Sequence, residues 1–299
     1  GNATSVLQSM LSARTALRAA TLMLAAFLTS PQLAFAWGHD GHKIICAIAE
    51  AKLSPTAITF VNNISKQSEH LDGKPNISFP TSCLWADTAR RTKYLGSYEN
   101  HFINVAENQD TIDLARDCAA LDCIAVGIQR SIVYLSTDAG SKREKARQAA
   151  ALRFLGHFIG DLHQPMHVSN TEDWGGNKIA VKWFGKRSNL HRVWDSGIMQ
   201  QANLSYPSSL NYLMTNETTD IELNVEAWLK ESFMLARENG YRDATGQKIT
   251  NGVSLSDQYL EKNKPIVISQ LQKAGLRLAA ILNALAEDRP VSAFTLQAN

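Results

Sequence analysis

Between His157 and Asp195 the sequence holds two His-x3-Asp pairs, His157/Asp161 and His191/Asp195, with His167 ten residues after the first histidine. On a helix, residues four apart share a face, so each pair aims an imidazole and a carboxylate at one point. Imidazoles and carboxylates without thiolate suit a hydrolytic zinc centre that keeps a water, whereas closed structural zinc sites lean on cysteine. Three of the other histidines, His39, His70 and His163, fall outside this pattern, and His163 is turned off the face of Asp161, only two residues away. A lone histidine of this kind reads as a surface or hydrogen-bonded residue. His42, Asp87 and His101 join the cluster, giving five imidazoles and three carboxylates. These are too many for one tetrahedral zinc, and two or three ions sharing a bridging carboxylate fit better.

Helices must carry most of these groups. Apolar periodicity predicts helices over 44–53, 84–94 and 124–135, and another opened by Ser54-Pro55 as cap and first-turn proline. The longest, over 142–162, turns Ala149, Leu152, Phe154, Leu155 and Phe158 inward, holds His157 and Asp161 at its end, and is stopped by Pro165. Gly175-Gly176-Asn177 is a turn signal before the strand-like run 178–184, which Gly185 ends; a helix from near Asn189 then carries His191 and Asp195. Two further amphipathic runs, 221–237 and 256–285, close the domain. The expectation is a mainly α, single helical domain over 37–285, with a small β-hairpin or strand segment near 178–184 and a loose tail over 286–299.

The composition, 299 residues with 44% hydrophobic and 19% charged, is that of an ordinary globular protein. Residues 1–36 stand apart: no acid, Arg14 and Arg18, an apolar run from Ala19 to Leu28, and an Ala34-Phe35-Ala36 ending. This reads as a cleavable secretion signal, with an uncleaved membrane anchor as the bland alternative. Cleavage would make Trp37 the N-terminus of a secreted or periplasmic protein with no stable membrane association and no obligate protein partner. Without those two arginines the net charge falls from +2 to zero, 28 basic residues facing 28 acidic ones. A general polyanion binder is thereby excluded, so any attraction for nucleic acid must be local. Four cysteines, Cys46, Cys83, Cys118 and Cys123, suggest two disulfides in an exported chain. Three connectivities are open. Cys118 and Cys123 can close a small local loop, which leaves Cys46 with Cys83; a thiolate zinc site is the weaker reading, there being no Cys-x2-Cys.

Trp37-x4-His42, Trp85-Ala-Asp87-x2-Arg90, His101-Phe102, His157-x3-Asp161-x5-His167, Gly175-Gly-Asn-Lys178 and His191-x3-Asp195 closely resemble the zinc-dependent single-strand nucleases of fungi and plants. These are the mung bean nuclease type, within the zinc phospholipase C and nuclease superfamily. The resemblance runs from Trp37 to about Ile198. It implies three zinc ions in a mostly helical domain: one on Asp87, His101, His157 and Asp161, its neighbour on Asp161 as bridge, His42 and the backbone amine and carbonyl of Trp37, the third on His167, His191 and Asp195. It also agrees with the cysteine pairing Cys46–Cys83 and Cys118–Cys123.

The implied activity is endonucleolytic hydrolysis of single-stranded DNA and RNA to 5′-phosphate products, with an accompanying 3′-nucleotidase activity. A hydroxide shared by the close zinc pair would be the nucleophile, because zinc lowers the pKa of bound water toward about 7. The third ion would neutralise the leaving 3′ oxygen, and the surplus metal charge would supply the local attraction a neutral surface lacks. Asp87, Arg90 and Asp161 are the implied catalytic residues, and Arg90, Phe102 and Asn177 the implied substrate contacts. Arg90 can equally pair with Asp87, and Phe102 can equally be a core residue. A zinc phospholipase C is the rival enzyme, disfavoured by Asp195 in place of a glutamate and by the short Trp37-to-His42 spacing. A non-catalytic zinc-binding exported protein is the rival of another class, disfavoured by the intact ligand set.

Overall fold

The computed structural model describes residues 37–118, 122–214, 221–291 and 294. The segment read as a secretion signal lies outside them. The architecture is mainly α: α1 Gly38–Ala51, α2 Pro55–Lys66, α3 Trp85–Ala89, α4 Ile124–Leu135, α5 Lys142–His163, α6 Val225–Leu235 and α7 Asp257–Ala286, joined by short helical turns. Among the described residues no helix is long and apolar enough to cross a membrane.

Local chemistry starts α2 and α5 and stops α5 where the sequence predicts, whereas α1, expected over 44–53, already begins at Gly38 and so includes His42. Ser54 caps α2, its hydroxyl accepting from the Ala57 amide, with Pro55 in the first turn. Ser141 caps α5 by accepting from the Glu144 amide while Glu144 reaches back to the Gly140 amide, and α5 ends before Pro165. Two runs are shorter than predicted. The helix expected over 84–94 stops at Ala89, whose carbonyl receives the amides of both Thr92 and Tyr94. The helix expected from 221 starts at Val225 because Asn224 caps it.

α5 is the central element, packed against α1, α2, α4, α6 and α7. Its last nine residues, Leu155 to His163, are all buried. A helix buried all round cannot keep polar side chains without partners, so His157, Asp161 and His163 must each be satisfied inside. One apolar cluster, with Leu155, Ile159, Leu229 and Leu282, lies on one side; a second, with Trp37, Ile45, Trp194 and Leu271, lies on the other. Val291 and Phe294 pack on the first cluster, so the stretch read as a loose tail is held at those two positions.

Two small sheets complete the frame. β1, Ile103–Val105, pairs in parallel with β2, Val168–Asn170; both follow histidines of the candidate site. β3, Ala180–Trp183, forms a hairpin with β4, Lys186–Asn189, through Phe184 and Gly185, and pairs in parallel with β5, Val253–Leu255. Disulfides join Cys46 to Cys83 and Cys118 to Cys123. The first ties α1 to the turn before α3, one helical turn from His42 and four residues before Asp87.

Candidate metal centre

Three sets of side chains converge, each with its ligand atoms within 4.8 Å of one another: His42, His157 and Asp161; Asp87, His101 and His157; His167, His191 and Asp195. All eight residues are buried. Asp161 joins the first two sets with different oxygens. Its Oδ1 lies 3.2 Å from His42 Nε2, while its Oδ2 lies 3.1 Å from His157 Nε2 and 3.0 Å from His101 Nδ1. Asp87 Oδ1 closes the second set at 3.5 Å from His157 Nε2. In the third set Asp195 presents Oδ1 to His167 Nε2 at 3.5 Å and Oδ2 to His191 Nε2 at 3.4 Å.

Three backbone carbonyls fix the imidazole tautomers. The Nδ1 atoms of His157, His167 and His191 lie 2.7 Å from the carbonyls of Cys83, His101 and Gly175 respectively. A carbonyl only accepts, so each Nδ1 carries the proton and each Nε2 is free to offer a lone pair. Each Nε2 faces carboxylate oxygens, which only accept, so the contact is repulsive unless a proton or a metal cation stands between. The atoms concerned, Nε2 of His42, His157 and His167 with Oδ1 of Asp87 and Asp161 and Oδ2 of Asp195, are buried without a hydrogen-bond partner among the described residues. Such orphans are rare in folded proteins. Neutral imidazoles with anionic carboxylates and no thiolate are a donor set that fits a divalent cation of the zinc kind.

The electrostatics agree. Burial alone would lower His157, yet the carboxylates of Asp161 and Asp87 push it up to about 10. Burial brings His101 down to about 4 and lowers His42, whose ring stacks on that of His157 at 3.8 Å. Against its own burial, Asp161 is held well below the carboxylate range by His157 and His167. The carboxylates thus favour positive charge on His157 and His167, while burial disfavours it on His42, His101 and His191.

Glycines set how closely the elements approach. A Cβ on Gly160 would stand 2.8 Å from His42 Nδ1, and one on Gly175 would stand 2.7 Å from the Met166 carbonyl. Trp37 is fully buried with φ of 44°, and its indole donates to the Gly160 carbonyl at 2.7 Å. Residue 37 is therefore pinned beside the residue preceding Asp161.

The predicted substrate residues have mixed placements. Arg90 lies 3.4 Å from Asp87 Oδ1, the pairing that sequence leaves as the alternative to phosphate contact, and its guanidinium covers the exposed ring of Tyr98. Half-buried Phe102 meets the edge of Tyr98 and lines a cavity of about 380 Å³ together with Asn104 and Asp122. Asn177 donates to the Trp174 carbonyl and serves the turn that delivers Gly175.

Several supporting residues escape sequence reading. Gln164 donates to Asp195 Oδ1 at 2.6 Å and accepts from the Met166 amide, and nothing in its sequence setting signals this. Asp173 accepts from the Gly176 amide and the Tyr241 hydroxyl; an aspartate just before a Gly-Gly pair is a turn signal that could have found it. His39 and His70 are exposed. His163 points away from the cluster, donating from Nδ1 to the Ile159 carbonyl and accepting from Arg277 at Nε2.

Comparison with known proteins places this geometry. The chain is 33% identical to Endonuclease 2 of Arabidopsis thaliana over 270 residues, covering 83% of this chain and 90% of that one. It is 31% identical to Nuclease S1 of Aspergillus oryzae over 289 residues, covering 88% and 96%, and 34% identical to Nuclease P1 of Penicillium citrinum over 172 residues, covering 55% and 59%. The S1/P1 Nuclease family model matches residues 37–287, a span that starts at the buried tryptophan and takes in every residue of the three clusters. By its sequence over that span and by this arrangement, the chain belongs to the S1/P1 nuclease family.

Proposed function

We propose that the chain is an exported zinc-dependent endonuclease that cuts single-stranded DNA and RNA to 5′-phosphate products and also removes the 3′ phosphate of nucleotides. Three ions are assigned as the resemblance implies: Asp87, His101, His157 and Asp161 hold one, Asp161, His42 and the backbone of Trp37 hold its neighbour, and His167, His191 and Asp195 hold the third. The observation that carries this reading is the two-sided use of Asp161, one oxygen toward His42 and the other toward His101 and His157. When bound, zinc would lower the pKa of a coordinated water toward about 7 and take up charge on phosphate oxygens.

The chain's own residues prepare the rest. The carbonyls of Cys83, His101 and Gly175 hold three rings with Nε2 turned into the cluster, and His157 and His167, whose protons the carboxylates favour, would release them as a cation binds. Arg90, beside Asp87, can turn donors of its planar fork toward a phosphate oxygen. Phe102, half-buried in the lining of a cavity, can offer its ring to an unpaired base, which only a single strand presents. Cleavage after Ala36 would turn the amide nitrogen of Trp37 into an amine able to coordinate, so the same event would accompany export and complete the site.

The test is to incubate the chain starting at Trp37, with and without chelator, with single-stranded DNA, RNA, a 3′-nucleotide and phosphatidylcholine in parallel. Chelator-sensitive cutting of the nucleic acids supports the reading. Preferential hydrolysis of the lipid would reassign the site to a phospholipase, and metal binding without any hydrolysis would leave a non-catalytic metal protein.

A further inference from the structure

A cavity of about 780 Å³ lies between α4 and α5, closed at one end by the 3-10 run Leu95–His101. It exists because the facing helix positions are small: Gly127 and Ser131 on α4, Ala146 and Ala150 on α5. Its floor is aromatic, formed by Tyr94, Tyr134, Phe154 and Phe158, and its rim is cationic, formed by Lys93, Arg130, Arg143 and Arg147. Among the described residues no acidic side chain lines it. Arg147 stacks on Tyr134, but Lys93, Arg130 and Arg143 are exposed and have no ion-pair or hydrogen-bond partner among the described residues. In a domain whose mature charge is balanced, this is a local concentration of one sign.

The groove and the candidate metal centre share a wall of buried side chains, although no candidate ligand lines the groove itself. Phe158 lines it and meets the His101 ring edge-on at 5.1 Å. The 3-10 run lines the groove with Leu95, Gly96, Ser97 and Asn100 and ends at His101, immediately before Phe102, a span on the order of 12 Å at ~2 Å per residue. Tyr98 and Leu95, 52% and 66% exposed, lie along that run. Aromatic side chains beneath a rim on which Lys93, Arg130 and Arg143 are unpaired among the described residues match a polymer of bases and phosphates better than an aliphatic anion, which gains nothing from rings.

We propose that this groove is a distal subsite for the substrate strand, taking a base and its flanking phosphates from single-stranded DNA or RNA a few nucleotides from the scissile phosphate. The proposal rests on the nuclease reading and adds that substrate length is sensed outside the metal centre. It predicts that a long strand is cut more efficiently than a dinucleotide because of contacts at Lys93, Arg130 and Arg143.

The experiment compares kcat/KM on a thymidine dinucleotide and on an oligothymidylate of about 15 nucleotides, long enough to reach both places. The proteins compared are the metal-loaded native chain, the triple variant Lys93→Gln/Arg130→Gln/Arg143→Gln and the single variant Arg130→Glu. The expected result is a roughly ten- to hundredfold loss on the oligonucleotide, carried by KM, with its log–log salt slope lowered by about 2 in the triple variant, and unchanged turnover of the dinucleotide. Retained dinucleotide turnover also reports that the fold is intact. Equal losses on both substrates, or none on either, overturn the proposal. Fluorescence anisotropy with the labelled oligonucleotide on chelator-treated protein separates the two readings: a native chain that cut nothing would end the nuclease assignment, while tight oligonucleotide binding lost in Arg130→Glu would still support the groove. Preference for anionic vesicles over the oligonucleotide in competition would overturn it.

Discussion

His42 and Asp161 meet at 3.2 Å between Nε2 and Oδ1, on helices that cross where Gly160 removes a side chain. The other oxygen of Asp161 is turned to His157 and His101, so one carboxylate links both halves of the inner cluster. Asp161→Ala removes that link and leaves three buried rings, His42, His101 and His157, facing a void. Turnover is expected to fall by at least about 10²–10³-fold, the cost of losing one preorganised electrostatic contact, and bound metal should drop in elemental analysis. Normal turnover in this variant would refute the assignment.

Gly160→Ala sets two magnitudes against each other. Alanine improves helix propensity by up to about 1 kcal/mol, whereas overpacking costs about 1–3 kcal/mol. A Cβ at 2.8 Å from His42 Nδ1 meets a ring held in a buried stack, so the clash wins. The variant is expected to melt lower, with the larger loss in the metal-loaded protein; equal or higher melting temperatures would show that α1 yields freely.

Gln164 holds Asp195 by one oxygen and leaves the other to His191. Gln164→Leu frees that carboxylate to rotate. Metal affinity at the His167, His191 and Asp195 set should weaken about 10–100-fold, as loss of such orienting contacts does elsewhere. Equilibrium dialysis should show one class of site weakened while the rest keep their occupancy; uniform weakening of all sites would contradict this division.

Acid sensitivity should come in part from His163. Burial and the neighbouring Arg277 bring it down to about 3, so it is neutral in the fold, while the unfolded chain protonates it near 6.5. Because the folded value is the lower one, its contribution is complete above pH 6.5 and is lost as pH falls toward 3, with a slope of up to about 1.4 kcal/mol per pH unit. Chelator-treated His163→Gln, compared with the native chain by urea unfolding at several pH values, should decline less steeply between pH 6 and 4. Parallel declines would sink the idea.

A protein retaining residues 1–36 keeps an amide at Trp37. It is expected to bind less metal than the chain starting at Trp37 and to cut single-stranded DNA more slowly, with activity restored by a protease that cleaves after Ala36. Full metal content and full rate in the uncleaved form would show that the amine is not a ligand.

What the sequence determined by itself is what depends on neighbours along the chain. The four-residue spacing of His157 to Asp161 and His191 to Asp195 fixed shared faces, Ser54 and Ser141 fixed helix starts, and Pro165 fixed the stop of α5. The mainly α fold was legible because apolar spacing reports which face a helix buries. Three-residue strands such as β1 and β2 are too short for their own period to show, and they join only because residues 103–105 and 168–170 meet in space.

Tertiary structure alone decided how the ligands are held. The carbonyls that set the tautomers of His157 and His167 lie 74 and 66 residues away in the chain, and Asp161 divides its two oxygens according to how α1 and the His101 turn pack on α5. His163 shares the helix end with Asp161, yet it is committed to Arg277 on α7. Residue type and spacing tell which atoms can bind a cation; only packing sets which lone pairs stay unpartnered and face one another.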